Sequence, residues 1–320
     1  YILVYLHHAT LILGGVLDEP IGPSKPPTED PVISPSIDDL LKIKINEEDM
    51  IVGTNNWNSI TRGNVGSPKP LVAVGDNGYL VTSVTDGNIW LNPQQKGTNN
   101  WNDVAAGSSK IIACSNNGYI IRSNASSAIN WLSPVNVCNA NLKGITYGNG
   151  TFATVSDNQY IVTSNDEGAT WNTPVKVLGA WNSVVFGNGK FVTVGTSGNI
   201  ATSSDNGKTW SKQTVGSSGS AWYGVTYGND KFVVVGQGGV TTSNDGINWT
   251  TPTKPWGIGI YGYNVACYDG VFIAGSDSGY ISTSNDGINW SKRFKITDSS
   301  GNTINIKINR IINAITPVVQ

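Results

Sequence analysis

Short apolar runs separated by polar turns fill the chain from residue 57 to residue 292. The pattern is clearest at 181–214, where runs of four to six residues end in turns made of Gly, Asn, Ser and Asp. Runs of this length between such turns are typical of short antiparallel strands. The pattern therefore predicts a sheet of four strands, at 181–186, 190–194, 199–202 and 210–214.

An eight-residue turn that closes on tryptophan recurs along the same region, and its fourth copy is SSDNGKTW at 203–210. A period near forty residues, with four strands per unit, is that of a β-propeller blade, in which neighbouring blades bury each other's faces. The chain is therefore predicted to be all-β. We expect a six-bladed β-propeller of four-stranded antiparallel blades, with an extended N-terminal arm and extra C-terminal strands. The closing residues are Trp90, Trp131, Trp171, Trp210, Trp249 and Trp290, at spacings of 41, 40, 39, 39 and 41 residues.

Each copy of the turn is predicted to be held by local hydrogen bonds. A hydroxyl residue opens it, and an acid, amide or hydroxyl follows two residues later. A glycine three residues before the tryptophan supplies a positive φ, and Ala128 at this place in the second copy predicts strain. In the last two copies Ser243 and Ser284 compete with Thr242 and Thr283 as the opening residue. The residues given this structural role are Ser164, Asp166, Gly168, Trp171, Ser203, Asp205, Gly207, Trp210, Thr242, Asn244, Gly246, Trp249, Thr283, Asn285, Gly287 and Trp290.

The turn resembles the Asp-box, or BNR, repeat S-x-D-x-G-x-x-W, and the resemblance covers about residues 57–292. Proteins with this repeat include sialidases, sortilin-type receptors, photosystem assembly factors, and many phage and bacterial surface proteins. The resemblance implies a propeller in which the box is structural, and it leaves the function open. The letters YGNGTF at 147–152 and those of 194–210 also look like repeats of phage tail and surface proteins.

Four segments follow from these patterns: an arm and proline-rich strap at 1–37, a connector at 38–56, the propeller at 57–296 and a C-terminal tail at 297–320. The first twenty residues are apolar but too short and interrupted to span a membrane. Alternating residues at 41–46 and 304–309 predict strands, and a small sheet outside the ring is one arrangement open to them. A fourth strand at 291–296 would close the ring without a borrowed strand, and residues 50–52 are the alternative.

Composition argues against several classes of protein. Charged residues make up 13% of the chain and the net charge is −2, which is not the profile of a nucleic-acid binder. Mild charge runs remain, because residues 1–56 carry −6, residues 57–292 carry +1 and residues 293–320 carry +3. The cysteines Cys114, Cys138 and Cys267 are too scattered for a disulfide framework or a zinc site. We therefore expect no metal and no cofactor.

Aromatic residues are the candidate ligand-binding groups. The predicted first strands open with Trp57, Trp101, Leu142, Trp181, Trp222 and Tyr263, which would place five aromatic side chains at the mouth of the central channel. The alternative is that these side chains pack between blades. The loop 250–262 is the longest before a blade and presents Trp256 and Tyr261, so it is the best single candidate for a recognition loop.

Catalysis has weaker support in the sequence. The resemblance to sialidases would require three arginines, a tyrosine activated by a glutamate, and an acid/base aspartate. Arg62 and Arg122 are the only arginines between Trp57 and Trp290, and Glu167 is the only glutamate there. A glycoside hydrolase built on two carboxylates is an open alternative. Its candidates are Asp76, Asp157 and Asp277, in equivalent loops between second and third strands.

The sequence favours a non-enzymatic structural or binding protein that uses a propeller as a rigid display platform. The preferred hypothesis is a virion surface or tail-associated protein of a phage, active in attachment or decoration. Its partners would be other virion or surface subunits, contacted through residues 1–37, and a cell-surface glycan is a further possible ligand. The predicted location is the virion surface or the extracellular space. The alternative is a secreted or periplasmic carbohydrate-binding or assembly-factor propeller of a bacterium.

Overall fold

A computed structural model describes the chain at 9–13, 56–66, 69–85, 87, 89–125, 128, 130–216, 219–257, 261–276, 280–291, 294–295 and 308–313. Within these ranges the strands are β1 (Ala9–Leu13), β2 (Trp57–Arg62), β3 (Leu71–Gly75), β4 (Tyr79–Ser83), β5 (Gln94–Gln95), β6 (Trp101–Ala106), β7 (Ile111–Ser115), β8 (Tyr119–Arg122), β9 (Val135–Asn136), β10 (Leu142–Gly148), β11 (Thr151–Ser156), β12 (Tyr160–Ser164), β13 (Val175–Lys176), β14 (Trp181–Gly187), β15 (Lys190–Gly195), β16 (Asn199–Ser203), β17 (Ser211–Thr214), β18 (Trp222–Gly228), β19 (Lys231–Gly236), β20 (Gly239–Ser243), β21 (Gly262–Tyr268), β22 (Val271–Ser276), β23 (Tyr280–Ser284), β24 (Phe294–Lys295) and β25 (Ile308–Asn313). Two short 3₁₀ turns lie at Asp76–Gly78 and Asn116–Gly118.

In the described part of the chain, six antiparallel sheets form the blades of a β-propeller, which confirms the predicted fold class. Five blades have four strands each, and the fifth blade has three strands, with Thr253 forming a single bridge to Val240 at the place of the fourth. The inner strands β2, β6, β10, β14, β18 and β21 lie side by side around a central channel. In the fourth blade the observed strands lie within one residue of the predicted bounds.

A small seventh sheet completes the ring. Strand β25 pairs in parallel with β1, and Thr10 lies opposite Arg310. Strand β25 also lies beside the inner strands of the sixth and first blades, where a seventh inner strand would stand. The predicted C-terminal strand 304–309 is therefore shifted to Ile308–Asn313, and its sheet lies in the ring rather than outside it. The predicted segments 41–46 and 50–52 lie outside the described residues.

Large side chains fill the spaces between blades. Phe152, Phe191, Phe232 and Phe272 are fully buried at equivalent places near the start of the second strands. Trp181 shares a buried cluster with Val155 and Ile161 of the preceding blade, and Trp222 does the same with Val194 and Ile200. Each of these aromatic side chains removes a large apolar area from water, so the ring is stabilised mainly across its blade interfaces.

The tryptophan-closing turns have the predicted hydrogen bonds. In the fourth copy Ser203 Oγ donates to Asp205 at 2.7 Å and accepts the Gly207 N–H at 2.9 Å. Asp205 in turn accepts the backbone N–H and the hydroxyl of Thr209 at 2.9 and 2.6 Å. The glycines of five copies have φ between 71° and 89°, and Ala128 of the second copy is held at 52°, where a side chain is strained.

The last two turns are one residue shorter, and the structure decides between the alternative opening residues. Ser243 Oγ accepts the Gly246 N–H at 2.8 Å and donates to Asp245. Ser284 and Asp286 make the same contacts in the sixth blade. The prediction that four residues hold these turns by hydrogen bonds is therefore wrong, because the next residue along the chain makes the bonds in each case. The four residues are Thr242, Asn244, Thr283 and Asn285.

Candidate functional site

The two faces of the ring are built from different loops. The chain enters every inner strand from one face, which we call the upper face. Because successive strands are antiparallel, the loops between second and third strands lie on the same face. The tryptophan-closing turns and the loops between first and second strands lie on the opposite, lower face. Loops that vary around a rigid ring are where propellers carry binding residues, so each face is a candidate surface.

The second residue of each inner strand forms a rim around the upper mouth of the channel. Three asparagines of this rim tie neighbouring blades together. Asn58 donates to the carbonyl of Trp101 at 3.0 Å, Asn102 to that of Leu142 at 2.6 Å, and Asn182 to that of Trp222 at 2.8 Å. These bonds hold the three asparagine side chains of the rim in place. The rim consists of Asn58, Asn102, Lys143, Asn182, Tyr223 and Tyr263.

Tyr223 and Tyr263 are the aromatic part of the rim. Their rings stack in parallel, with centroids 4.5 Å apart and an interplanar angle of 8°. Both side chains are half-buried. The pairing shows that Tyr263 corresponds to Tyr223, one residue further along the strand than Trp222, because β21 opens at Gly262. Sequence reasoning aligned Tyr263 with the tryptophans and so missed this pair.

The predicted collar of tryptophans is not at the channel mouth. The side chains of Trp57, Trp101, Trp181 and Trp222 are buried between or within blades, at 3% exposure or less. Trp256, the leading candidate in the recognition loop, is also buried and packs in a cluster with Val235 and Val240. None of these five tryptophans presents a ring face to a ligand, so the structure supports the alternative that they pack in the interior of the ring. Tyr261 is half-buried.

The candidate carboxylates of the upper face hold their own loops. Asp76 accepts hydrogen bonds from the side-chain amides of Asn56 and Asn58 at 3.2 and 2.8 Å. Asp157 accepts from Asn141 at 3.0 Å and lies 3.4 Å from the Lys143 ammonium. Asp277 lies outside the described residues. These contacts are those of turn-stabilising acids rather than of an acid/base pair.

Glu167 lies in a lower-face turn and binds the preceding blade. Its carboxylate accepts the backbone N–H groups of Ser108, Ser109 and Lys110 at 2.9, 3.1 and 3.0 Å. Burial would raise the pKa of Glu167, but the amides of Ser109 and Ser108 outweigh it and lower that pKa. Glu167 therefore acts as a link between two blades.

Tyr147 lies next to this glutamate and lines the channel, an arrangement that sequence reasoning did not identify. Its hydroxyl is 2.5 Å from Ser108 Oγ. Burial raises the pKa of Tyr147, and the nearby Glu167 carboxylate adds to the effect. A tyrosine with a raised pKa beside a glutamate with a lowered one is a poor nucleophile and base pair, because both shifts oppose proton transfer from the phenol.

The central channel is a cavity of about 380 Å³ lined by all six inner strands of the blades. Asp103 is its buried carboxylate, and Arg62 lines it on the neighbouring strand.

Burial raises the pKa of the Cys267 thiol to about 11, which leaves it a weak nucleophile. Within the part of the chain that the structure covers, no group of three or more His, Cys, Asp or Glu residues is placed to hold a metal ion. In the same part, no helix has the length and hydrophobicity needed to cross a bilayer.

Comparison with known proteins supports the fold. A family model described as the DUF6242 beta propeller domain matches residues 176–303. No curated protein matches the chain. Several solved propellers superpose on most of it at low sequence identity, which shows the architecture alone.

Three of these structures illustrate the likeness. YCF48 from Cyanidioschyzon merolae has a TM-score of 0.62 and 14% identity, over 80% of this chain and 89% of that one. The RRP9 WD40 repeats have a TM-score of 0.65 and 10% identity, over 82% and 85%. A structure of YCF48 bound to D1 peptide has a TM-score of 0.60 and 15% identity, over 78% and 82%.

Proposed function

We propose that the chain is a non-catalytic binding protein whose upper face holds a segment of another protein. The stacked pair of Tyr223 and Tyr263 carries the proposal. It presents half-buried aromatic surface on a rim whose asparagines are already fixed by hydrogen bonds. A rigid aromatic anchor loses little conformational entropy when a partner binds, and tyrosine is enriched at such contacts.

The chemistry of the described acids supports a non-catalytic role. Asp76, Asp157 and Glu167 are each committed to bonds that stabilise loops or join blades. The Tyr147–Glu167 pair has pKa shifts that oppose its use as nucleophile and base. A binding protein does not require Tyr147 or Glu167 to gain or lose a proton during its function.

A protein partner is favoured over a small ligand for this face. The rim presents amide and phenol groups and the Lys143 ammonium around the channel mouth, which suits an extended peptide with both polar and apolar side chains. One structural neighbour is described as bound to a peptide, so a propeller of this architecture can take such a partner.

The resemblance of the turns to Asp-box repeats of phage and bacterial surface proteins suggests where the platform works. We propose that it works on a virion surface or in the extracellular space. Residues 9–13 form β1 of the ring, so the rest of the segment 1–37 is what would contact neighbouring subunits. Mass spectrometry of fractionated native material tests this location. The proposal expects the chain in purified particles or the envelope fraction, and a chain found only as free protein in the cytosol contradicts it.

A pair of matched variants tests the face. Tyr223→Ala combined with Tyr263→Ala is expected to weaken binding to purified particles at least tenfold. The control combines Ile247→Ser and Ile288→Ser, which are exposed on the lower face, and is expected to leave binding unchanged. Loss of binding in the control but not in the tyrosine variant would reject the upper face as the binding surface. A glycan array run with the same proteins reports whether the tyrosine pair binds a sugar instead.

A further inference from the structure

The carboxylate of Asp103 lies in a group of three hydrogen-bond donors on the channel wall. Its Oδ1 accepts the Ser59 hydroxyl at 2.7 Å and the Val104 N–H at 2.9 Å, and its Oδ2 accepts the Ile145 N–H at 2.9 Å. These donors belong to three successive inner strands, β2, β6 and β10. We call them the first cradle. One carboxylate therefore binds a hydroxyl and two backbone amides of neighbouring blades.

The fourth, fifth and sixth blades repeat the three donors. Ser183, like Ser59, is the first residue to pair with the second strand after the shift in register near the start of the inner strand. Val225 and Val265, like Ile145, lie three residue pairs away from the pair that closes the hairpin between first and second strands. We call this set the second cradle, and it consists of Ser183, Val225 and Val265 at the places of Ser59, Val104 and Ile145.

The amides of the second cradle point away from the sheet of their own blade. Residues at the same place in equivalent antiparallel pairs direct their N–H groups to the same side. Ile145 directs its N–H away from β11 and toward Asp103 of the preceding blade. Val225 and Val265 therefore direct theirs away from β19 and β22. Both valines and Ser183 line the channel cavity.

Glycine occupies the place of the carboxylate in the second cradle. Gly224 corresponds to Asp103, because each is the first residue after the same shift in register. A Cβ atom at Gly224 would lie 3.2 Å from the backbone nitrogen of Val265, so this residue lies against the amide but has no side chain to reach it. Buried backbone amides are stabilised by an acceptor, and a carboxylate is a strong one. The second cradle thus has the donors of the first without its acceptor.

We propose that the second cradle binds the carboxylate of a small monocarboxylate anion that enters the channel. One oxygen accepts the Ser183 hydroxyl and the Val225 N–H, and the other accepts the Val265 N–H. The cavity of about 380 Å³ lies within the range of small-molecule sites, about 300 to 1,000 Å³. The charged side chains among its described lining residues, Arg62 and Asp103, have opposite signs and give the wall no net negative charge. The second cradle does not use the upper-face tyrosines, so this proposal can fail while the proposed function stands.

An amide NMR titration of the full chain with propionate tests the proposal, with propionamide as an uncharged ligand of similar shape. The N–H signals of Val225 and Val265 are expected to move downfield and to saturate as propionate is added. Those of Val104 and Ile145 are the internal control and are expected to stay in place, because Asp103 already binds them. Propionamide is expected to bind about tenfold more weakly, since its oxygen carries no full charge.

Matched serine variants locate the site. Ser183→Ala is expected to weaken propionate about tenfold, because it removes one donor to a charged group. Ser59→Ala removes the same hydroxyl from the first cradle and is the control with unchanged affinity. Gly224→Asp supplies a carboxylate from the chain itself, as Asp103 does in the first cradle, and is expected to abolish propionate binding. If Gly224→Asp does not fold, the two serine variants still test the site.

Three results would overturn the proposal. The first is the absence of a saturable shift at the second-cradle amides in millimolar propionate. The second is equal binding of propionate and propionamide. The third is a loss of affinity in Ser59→Ala as large as that in Ser183→Ala, because the ligand would then not distinguish the two cradles.

Discussion

The indole of Trp256 lies directly against Gly262, where a Cβ atom would approach its Cζ3 to 2.8 Å. In the fifth blade Trp222 opens the inner strand and packs on Val194 and Ile200. In the sixth blade glycine opens that strand, and Trp256 packs on the equivalent Val235 and Val240 from six residues upstream. The same core position is therefore filled by a side chain from the loop instead of from the strand.

This packing makes Trp256 a stability residue. Trp256→Ala is expected to lower the free energy of unfolding by about 3–5 kcal/mol, since it empties a buried site between two blades. Chemical denaturation followed by tryptophan fluorescence or circular dichroism measures the change. Thr251→Ala, at an exposed position in the same loop, is the control and is expected to be neutral. A Trp256→Ala chain of normal stability that had lost only partner binding would restore the recognition-loop hypothesis.

Glycines of the tryptophan-closing turns share a positive φ with glycines of other turns but differ from them in how closely neighbouring atoms pack around the Cα atom. Gly287 and Gly189 both have φ of 71°, but a Cβ at Gly287 would lie 2.6 Å from Val233 Cγ2 of the preceding blade, whereas one at Gly189 meets nothing within 4 Å. Gly189→Ala is expected to cost about 1–2 kcal/mol for its left-handed backbone. Gly287→Ala is expected to cost about 1–3 kcal/mol more, because the added methyl overpacks the interface. Equal losses in thermal or urea unfolding would show that the turn does not press on the neighbouring blade.

The turn carboxylates predict a dependence of stability on acid pH. The hydroxyl and the N–H of Thr209 lower the pKa of Asp205 from 3.8 to about 2. A carboxylate whose pKa is depressed on folding stabilises the protein above its unfolded pKa and loses that contribution as the pH falls toward the folded value. The melting temperature of the native chain is therefore expected to fall between about pH 4 and pH 2.

Asp205→Asn isolates this contribution. Its melting temperature is expected to be below that of the native chain at pH 6, and the difference is expected to shrink toward zero at pH 2. Asp269→Asn, in an exposed turn between first and second strands, gives the comparison outside the tryptophan-closing turns. A difference for Asp205→Asn that stays constant across this pH range would mean that the ionised carboxylate does not hold the turn.

The hydrogen bonds of the Glu167 carboxylate link the second and third blades, so substitutions of Glu167 measure how much this link contributes to the free energy of unfolding. Glu167→Ala leaves the amides of Ser108, Ser109 and Lys110 without their carboxylate. We expect a loss of about 1–3 kcal/mol in the free energy of unfolding. Glu167→Gln keeps an accepting oxygen and is expected to lose less. Hydrogen exchange at the three amides provides the local readout, and unchanged protection in Glu167→Ala would argue against the link.

Local sequence patterns predicted most of the ring, because each blade consists of short strands and turns that are specified by residues close together in the sequence. The seventh sheet was harder, since it joins β1 and β25 from opposite ends of the chain and no local pattern specifies such a pair. The opening residue of the last two turns was ambiguous because Thr242 and Ser243 carry the same hydroxyl. Only the backbone geometry of the shorter turn distinguishes them.

The candidate site was predicted less well, and for a physical reason. A sequence shows which side chains are aromatic but not which of them find space in the core. The sequence alone allowed Trp256 to be a ligand-binding residue. In the structure Gly262 has no side chain, and the indole of Trp256 occupies the buried space beside it. Tyr223 and Tyr263 stack across two blades, a contact between residues forty positions apart that depends on the register of both strands.

Site-specific photo-crosslinking in the native assembly tests the central claim that the upper face is the binding surface. A benzophenone side chain is placed at position 263 on the upper rim or at position 288, where Ile288 is exposed on the lower face of the same blade. We predict a covalent adduct with another polypeptide from position 263 and none from position 288. Adducts from position 288 alone, or from neither position in intact assemblies, would contradict the account.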